Sequence, residues 1–450
     1  MFRQRPSRRT FLKTAAGSTV GFWVAGGVSA APSKSPNEKL NAACIGIGGR
    51  GGALVGGVKR ENIVALCDVD ERTAGGTSER HPKAKFFADF RRMFDEMHKQ
   101  IDLVTVGTPD HTHGWPSIAA MQLGKHVYVE KPLAHNVYEC YKMAELSRKM
   151  NVATQLGNQH HAEWRWHRVA ELVKAGVIGR VTEVHFCLKP SNTVFPTQNG
   201  PRFLQESGRP KEQPPVPQGL NWDLWLGPAV ERPYHPAYCP NINKWLHWQD
   251  FGTGEIGSWW CHAVDPAFMA LDLQYPISAE AVVVRPVASE RIPNPAVRYV
   301  YPARGDQPAV TVYWHAGGSG PRPELLDGES GDCLMVGEKG CMLCWHQPGQ
   351  PDDEPLLLPK AKFADFQRPA TKIPPLRSHM DDFLNAIKTG GKSGCDIANY
   401  AVYLGVPAVL WQVAFKLGRK IEWDGANMKV PGCPEADPLI RRVYRKGWEL

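Results

Sequence analysis

The sequence lacks a cysteine framework. Its 11 cysteines are odd in number and irregular in spacing, and the only tight pair, Cys341-x-x-Cys344, has no second pair at zinc-site separation. The pair lies in the apolar run CMLCW and reads as buried strand cysteines rather than a metal or redox centre. Charge of one sign is also scarce. Lys and Arg number 53 against 45 Asp and Glu, a net +8, but five of the basic residues fall within 1–13, where there is no acid. The remainder balances at 48 against 45, so no polyanion-binding surface is indicated and nucleic acid is not an expected partner. What is present in quantity is core material: 42% apolar and 10% aromatic residues exclude a mainly disordered chain, and 450 residues suit two or three domains.

No unbroken apolar run of the ~20 residues a membrane span needs follows the basic N-terminus. Residues 1–13, MFRQRPSRRTFLK, lead instead into TAAGSTVGFWVAGGVSA, which is interrupted by glycines and ends on the small-x-small site Val28-Ser29-Ala30. This is the layout of an export signal. Arg8-Arg9 within SRRTFLK resembles the twin-arginine signal, whose substrates cross the bacterial inner membrane already folded. The expectation is a signal over 1–30, the twin-arginine machinery as partner, and a periplasmic or exported location. An uncleaved signal would act as an anchor. Folded export suits a protein that collects its cofactor in the cytoplasm.

The apolar run 40–47, LNAACIGI, enters Gly46-Ile47-Gly48-Gly49-Arg50-Gly51, a G-x-G-x-x-G. A second run, Asn62 to Cys67, ends at Asp68, 22 residues after Gly46. That is the spacing of a βαβ dinucleotide site. Gly46 permits the tight turn, Gly48 the approach of backbone to pyrophosphate, and Gly51 the packing of helix on strand, while Gly49 and Arg50 open the helix whose free N–H groups face phosphate. Asp68 is placed to accept ribose hydroxyls and repel a 2′-phosphate, which favours NAD over NADP. Arg72 and Arg80 lie downstream and could counter that repulsion, so NADP stays possible. The alternation continues through a helix over 89–99, a strand over 101–107, a helix near 115–123 and a strand over 126–130. Such alternation implies a parallel sheet covered by helices on both faces, with ligands beyond the carboxyl ends of the strands. Thr108, Pro109, His111 and His113 sit at one such end, and Glu130 and Lys131 at another. Both loops fall where the nicotinamide half of a dinucleotide would lie.

His111-x-His113 after a strand also resembles the metal pair of amidohydrolase barrels, with His160-His161 as further ligands. Such a barrel needs neither the glycine fingerprint nor Asp68, and no metal is expected. GIGGRG, CDVD, TPDHTH and EKP, in this order and spacing, resemble instead the Gfo/Idh/MocA oxidoreductase family, which includes glucose–fructose oxidoreductase and inositol dehydrogenase. The likeness continues through QLGNQHH (155–161), NWDLWLGP (221–228), GTGEIGSWWCHAVDPAF (252–268) and EWDG (422–425), and so covers nearly all of the chain after the signal. With the export signal and the Trp-rich second half, it looks most like the exported, sugar-associated branch seen in planctomycetes and related bacteria.

The resemblance implies an α/β protein: a Rossmann NAD(P)-binding domain over 31–152, then an α/β domain over 153–375 with an open, mostly antiparallel sheet whose face often serves oligomerisation. It implies too that a segment over 376–450 packs back on the first domain, and that the chain is a homo-oligomer, dimer or tetramer. Helix-period apolar positions over 375–387 and 399–417 support the late helices independently. Seven prolines between 190 and 218 predict a long irregular loop bordering the substrate cleft.

By the same resemblance Lys131 is the acid/base of the EKP motif. An ammonium partly desolvated beside a positive nicotinamide should lose proton affinity, which suits it to exchange a proton with a substrate hydroxyl. The second family element is Asp-x-x-x-His on a helix. Here His262 is present but the aspartate position is Ser258, so either Glu255, one turn earlier, or Asp265 is expected to supply the missing carboxylate. Gln159, in QLGNQHH, joins them as a substrate-binding candidate. His185 and Lys189, on the strand-like run 179–189, are placed to face the cleft. Trp222, Trp225, Trp245, Trp248, Trp259 and Trp260 put six of the 15 tryptophans within 39 residues. Such faces suit sugar C–H surfaces, Trp260 being the substrate candidate, although a core or subunit interface would use tryptophan at the same density.

The expected function is therefore an exported NAD(P)-dependent oxidoreductase of a small carbohydrate or polyol, with a tightly bound cofactor. The alternatives are a redox-neutral NAD-dependent glycosidase or lyase, and a non-catalytic sugar or dinucleotide binder, which Ser258 makes plausible.

Overall fold

The computed structural model describes residues 38–187, 208–282, 287–316, 319–344 and 354–450. The expected signal over 1–30, Lys189 and most of the proline-rich stretch lie outside them. Six strands form the first sheet: β1 (Asn41–Ile45), β2 (Asn62–Cys67), β3 (Lys85–Phe87), β4 (Leu103–Val106), β5 (His126–Glu130) and β6 (Thr154–Gly157). Their order is β3-β2-β1-β4-β5-β6 and every pairing is parallel. The crossovers are the helices Arg50–Gly57, Glu71–Glu79, Phe90–Met97, Gly114–Gln122 and Val137–Met150. Strands covered on both faces are mostly apolar, which is why β1, β4 and β5 are buried nearly throughout and carry their polar residues mainly at the ends. Asp70, Asp89 and Asn136 cap three of the helices by accepting from the backbone N–H of Arg72, Arg91 and Glu139. The first sheet outruns its expected limit at 152, because β6 pairs with β5.

The second sheet has eight strands: β7 (Val181–Cys187), β8 (Ser278–Val282), β9 (Ala296–Tyr301), β10 (Val310–His315), β11 (Cys333–Gly337), β12 (Gly340–Cys344), β13 (Leu356–Leu358) and β14 (Ile421–Glu422). It runs β13-β12-β11-β7-β10-β9-β8-β14, antiparallel except between β7 and β10. Burial alternates along β9 and β10, so one face carries Val297, Tyr299, Tyr301, Val312 and Trp314 into the main core. Helices Trp164–Lys174, Gly254–Ala263, Asp265–Leu271 and Val402–Leu417 contribute to that core. Cys341 and Cys344 are buried on β12.

The C-terminal residues serve both sheets. Helix His379–Thr389 sets Phe383, Leu384 and Ile387 against Leu40, Ala42 and Leu54 of the first domain, whereas β14 joins the second sheet's edge. Helix Val402–Leu417 packs on β8, on Gly254–Ala263 and on Val137–Met150. By length and composition the stretch Ile397–Leu417 would suffice to cross a membrane, but most of it is buried inside the protein.

Candidate active site

The glycine loop after β1 leaves no room for a side chain at Gly46 or Gly51. Gly46 has φ +73°, and a Cβ there would stand 2.6 Å from the Thr108 nitrogen; one on Gly51 would stand 1.7 Å from the Gly46 oxygen. Gly49 starts helix Arg50–Gly57 with no side-chain cap; Gly51 N and Gly52 N donate to Gly48 O at 2.9 Å and Gly49 O at 3.2 Å, and the positive end of the helix, with Gly49 and Arg50, borders the cleft. Asp68, at the end of β2, braces the loop: its carboxylate accepts from Ile47 N at 2.8 Å, Gly48 N at 3.1 Å and Asp70 N at 3.0 Å. Burial raises its pKa, against the pull of those bonds. Neither downstream arginine is free. Asp70 holds the Arg72 guanidinium at 2.7 and 2.6 Å, and Arg80 donates to Thr77 at 3.1 Å.

A cavity of about 340 Å³ joins Gly46, Gly48, Gly49, Arg50 and Asp68 to Thr108, Pro109, His113, Glu130, Lys131 and Ser258. The Thr108 hydroxyl is buried without a hydrogen-bond partner. An open cradle and an unmet polar atom are what a bound dinucleotide would satisfy, so these residues fit the group. Trp225, Ile242, Trp245, Leu246 and Trp448 line the opposite side and form a roof. The roof is bolted to the first domain. Glu71 N donates to Gly219 O at 2.9 Å, Asn221 N to Val69 O at 2.8 Å, and Thr253 to the buried Asp110 at 2.5 Å. Arg445 ties the C-terminal residues to the roof segment itself, with bonds to Asp223 at 2.6 Å and to Gly227 O at 3.0 Å.

Two expected cofactor residues serve this scaffold instead. His111 is fully buried, with ring nitrogens 2.9 Å from Trp225 O and 3.3 Å from Phe251 O, and it does not line the cavity. Burial and the Arg442 charge push its pKa down to about 3. His113 borders the cleft but directs its ring nitrogens at Pro132 O, 2.7 Å away, and Thr108 O, 2.8 Å away. It clamps one loop to the other. A backbone carbonyl stands against each ring nitrogen of both residues, so neither imidazole is directed into the cleft.

Lys131 follows β5 and its Nζ donates to Ser258 Oγ at 3.4 Å, so the residue in the aspartate's place touches the lysine. Glu130 accepts from Arg50 at 2.9 Å and from Gln159 at 2.8 Å. Gln159 also reaches the Tyr128 hydroxyl, which commits its amide nitrogen to the sheet wall. His262 is buried with Nδ1 unpartnered, its ring 4.6 Å from that of His160. Burial, then the Lys131 charge, push its pKa well below the usual range.

Neither expected carboxylate orients His262. Asp265 is spent on His161 Nδ1 at 2.9 Å and on the Tyr400 hydroxyl at 2.5 Å. Glu255 lies 3.6 Å from His247, and both its oxygens are buried without hydrogen bonds. Burial raises its pKa to about 7, with Lys131 opposing.

Trp260 is fully buried, edge-on to Tyr299 at 5.1 Å: it is core, not sugar platform. Trp222, Trp225, Trp245 and Trp248 belong to one buried cluster, of which only Trp225 and Trp245 reach the cleft. His185 is also misplaced by the sequence. Its β7 neighbours Val184 and Phe186 enter the core, so it shares the opposite sheet face with Glu183 at 2.9 Å and His315 at 3.0 Å, away from the helix that carries Ser258. Sequence reasoning missed the roof, although NWDLWLGP marked part of it, and missed Trp448 altogether.

A parallel sheet with a glycine cradle, a lysine at the neighbouring strand end and a second α/β layer define a two-domain dinucleotide-binding oxidoreductase. The profile of an oxidoreductase family with an NAD-binding Rossmann fold matches residues 40–158, and that of the same family's C-terminal alpha/beta domain matches 167–287. The chain belongs to the Gfo/Idh/MocA oxidoreductase family. It is 33% identical over 199 residues to a glycosyl hydrolase family 109 protein of Solibacter usitatus, covering 40% of this chain and 44% of the relative. It is 25% identical over 174 residues to inositol 2-dehydrogenase of Salmonella typhimurium, covering 37% of this chain and 51% of the relative. The matches thus span about half of these relatives' lengths or less. Aldose-aldose oxidoreductase from Caulobacter crescentus, complexed with glycerol, has a similar fold: TM-score 0.54 at 17% identity, over 86% of this chain and all of that one. Levoglucosan dehydrogenase complexed with NADH gives 0.53 at 15%, over 86% of this chain and 99% of the other.

Proposed function

We propose that this chain is an exported NAD-dependent oxidoreductase acting on a sugar, polyol or glycoside. The reading rests on one observation: the glycine cradle, Asp68 and Lys131 share a single cavity. Bound NAD supplies the hydride acceptor. Lys131 is assigned as acid and base at the substrate oxygen, its ammonium steadied by Ser258. His262, neutral through burial, is its helper. Glu255 does not line the cavity, and is kept as the carboxyl nearest to Ser258 on the same helix, with oxygens a substrate hydroxyl would satisfy if it reached them. Relatives named for inositol, aldose and levoglucosan chemistry support the substrate class.

NAD is favoured over NADP because Asp68 lies at the ribose end and Arg72 is already held by Asp70. The face of the second sheet turned from the main core, around the half-buried Tyr313 and His315, is assigned to a dimer or tetramer contact. Arg8-Arg9 supports export. A second reading is favoured by the bolted roof together with export, since free NAD is not replenished outside the cytoplasm: a redox-neutral glycosidase or lyase that oxidises, eliminates and reduces again on one retained cofactor.

Denaturing the purified protein and assaying released nucleotide tests the cofactor. Net NADH formation with sugars supports the dehydrogenase, and cleavage of an aryl glycoside without net NADH supports the redox-neutral enzyme. No released nucleotide, with none bound on addition, overturns both.

A further inference from the structure

Among the described residues, every buried tryptophan but one belongs to an apolar core. Trp166, Trp259, Trp260, Trp314, Trp411 and Trp423 sit in the main core, and the others in the roof cluster. Trp448 is just as buried but joins none of the clusters. It lines the dinucleotide cleft instead, together with Phe90. Its neighbours hold the ring from the sides: Trp115 stands at 5.6 Å and 83°, Phe90 at 6.2 Å and 56°. Arg91 lies over the indole with Cζ 4.4 Å from the ring centroid, and Asp89 fixes that guanidinium at 2.8 Å. No aromatic ring among the described residues stacks flat against Trp448.

Strand order says which end of the cleft this is. The lining runs across the strand ends, from Phe90 after β3, past Asp68 after β2 and the glycine loop after β1, to Thr108 after β4 and Lys131 after β5. The glycine loop takes the pyrophosphate and Asp68 lies at a ribose. With Lys131 at the nicotinamide end, the adenine falls on the far side of Asp68, towards β3. Phe90 follows β3 and is in ring contact with Trp448, so the indole stands at that end. Ala88, Pro116 and Ile242 line the same cleft as apolar walls. An uncharged flat base gains most from such a surface, and an indole adds a π face.

We propose that Trp448 is a nucleotide-binding residue that closes the adenine end of the cleft and contacts the purine. The assignment rests on the dinucleotide reading above and adds to it a residue from far outside the Rossmann domain. The indole is held in place without help from the ligand: Trp448 N donates to Arg445 O at 2.9 Å, and Arg445 is held by Asp223 at 2.6 Å. Little ordering is then left for binding to bring about.

The test is isothermal titration of the full-length protein, stripped of any nucleotide it carries, with NAD, with ADP-ribose, which keeps the adenine, and with nicotinamide mononucleotide, which lacks it. Trp448→Ala is expected to weaken NAD and ADP-ribose by the same factor, about tenfold to a hundredfold, the range for removing one base–aromatic contact. Nicotinamide mononucleotide should bind the variant as it binds the parent, and Trp448→Phe should recover most of the lost NAD affinity. If Trp448→Ala does not fold, Trp448→Leu, which fills the space without a π face, must show the loss. Folded variants that keep the parent's NAD affinity, or that lose nicotinamide mononucleotide along with ADP-ribose, overturn the assignment. A parent that binds neither NAD nor ADP-ribose overturns the dinucleotide reading itself, and this assignment with it.

Discussion

Glu255 is buried with both carboxyl oxygens lacking hydrogen bonds, and burial raises its pKa to about 7. A carboxyl whose folded pKa lies above its unfolded one stabilises the fold below the unfolded value, and that stability is lost as pH rises through the folded value. Between about pH 4.5 and 7 the ligand-free protein should therefore lose on the order of 3 kcal/mol through this group alone. Chemical denaturation at pH 5 and pH 8 should show a much smaller difference in Glu255→Gln than in the parent; equal differences would sink the assignment. For Lys131→Met the expectation is a drop in turnover of roughly 10²–10⁴-fold with NAD affinity unchanged. Loss of NAD binding instead would mark Lys131 as part of the cradle. At this scale the sequence revealed residue types better than partners. The departure at Ser258 was visible, but that its hydroxyl meets Lys131, and that Asp265 is drawn off to His161 and Tyr400, depends on chain segments 104 to 135 residues apart.

Among the elements, helix Asp265–Leu271 is tied by its first residue to His161 and Tyr400. Asp265→Asn leaves both facing a neutral amide and should cost about 3–5 kcal/mol, as for any buried ion pair broken on one side. Urea denaturation measures this; a loss below about 1 kcal/mol, the range of exposed pairs, would show that His161 is uncharged there. Gly51→Ala should abolish NAD binding, because the new Cβ would meet the Gly46 oxygen at 1.7 Å and push the helix off the loop. Isothermal titration with NAD would detect it. Four first-domain strands were readable because apolar residues dominate them and each is followed by its own helix, so the expected strand over 126–130 is the one observed, whereas the short β3 (KFF) and the polar β6 (TQLG) gave no such signal. The second sheet was not readable, because its neighbours come from distant segments: β14 joins β8, and β7 lies between β10 and β11. Short alternating strands give no clue to such pairings. The tryptophan run misled for a related reason, since density in sequence does not say which face is covered.

For the whole molecule, the decisive feature is a roof built by residues outside the Rossmann domain. His111→Ala removes the contacts to Trp225 and Phe251 that hold it down. The variant should lose nucleotide on gel filtration while the parent keeps it; equal retention would show that the roof does not govern release. The bolts also set a sequence in time. Trp448, which lines the cleft, is synthesised 203 residues after Trp245, so this last wall is set in place only after the rest of the roof has been made. The nucleotide would then enter during a window that folding itself closes, and its content in the finished protein would record supply at the moment of synthesis, not the concentration around the mature molecule.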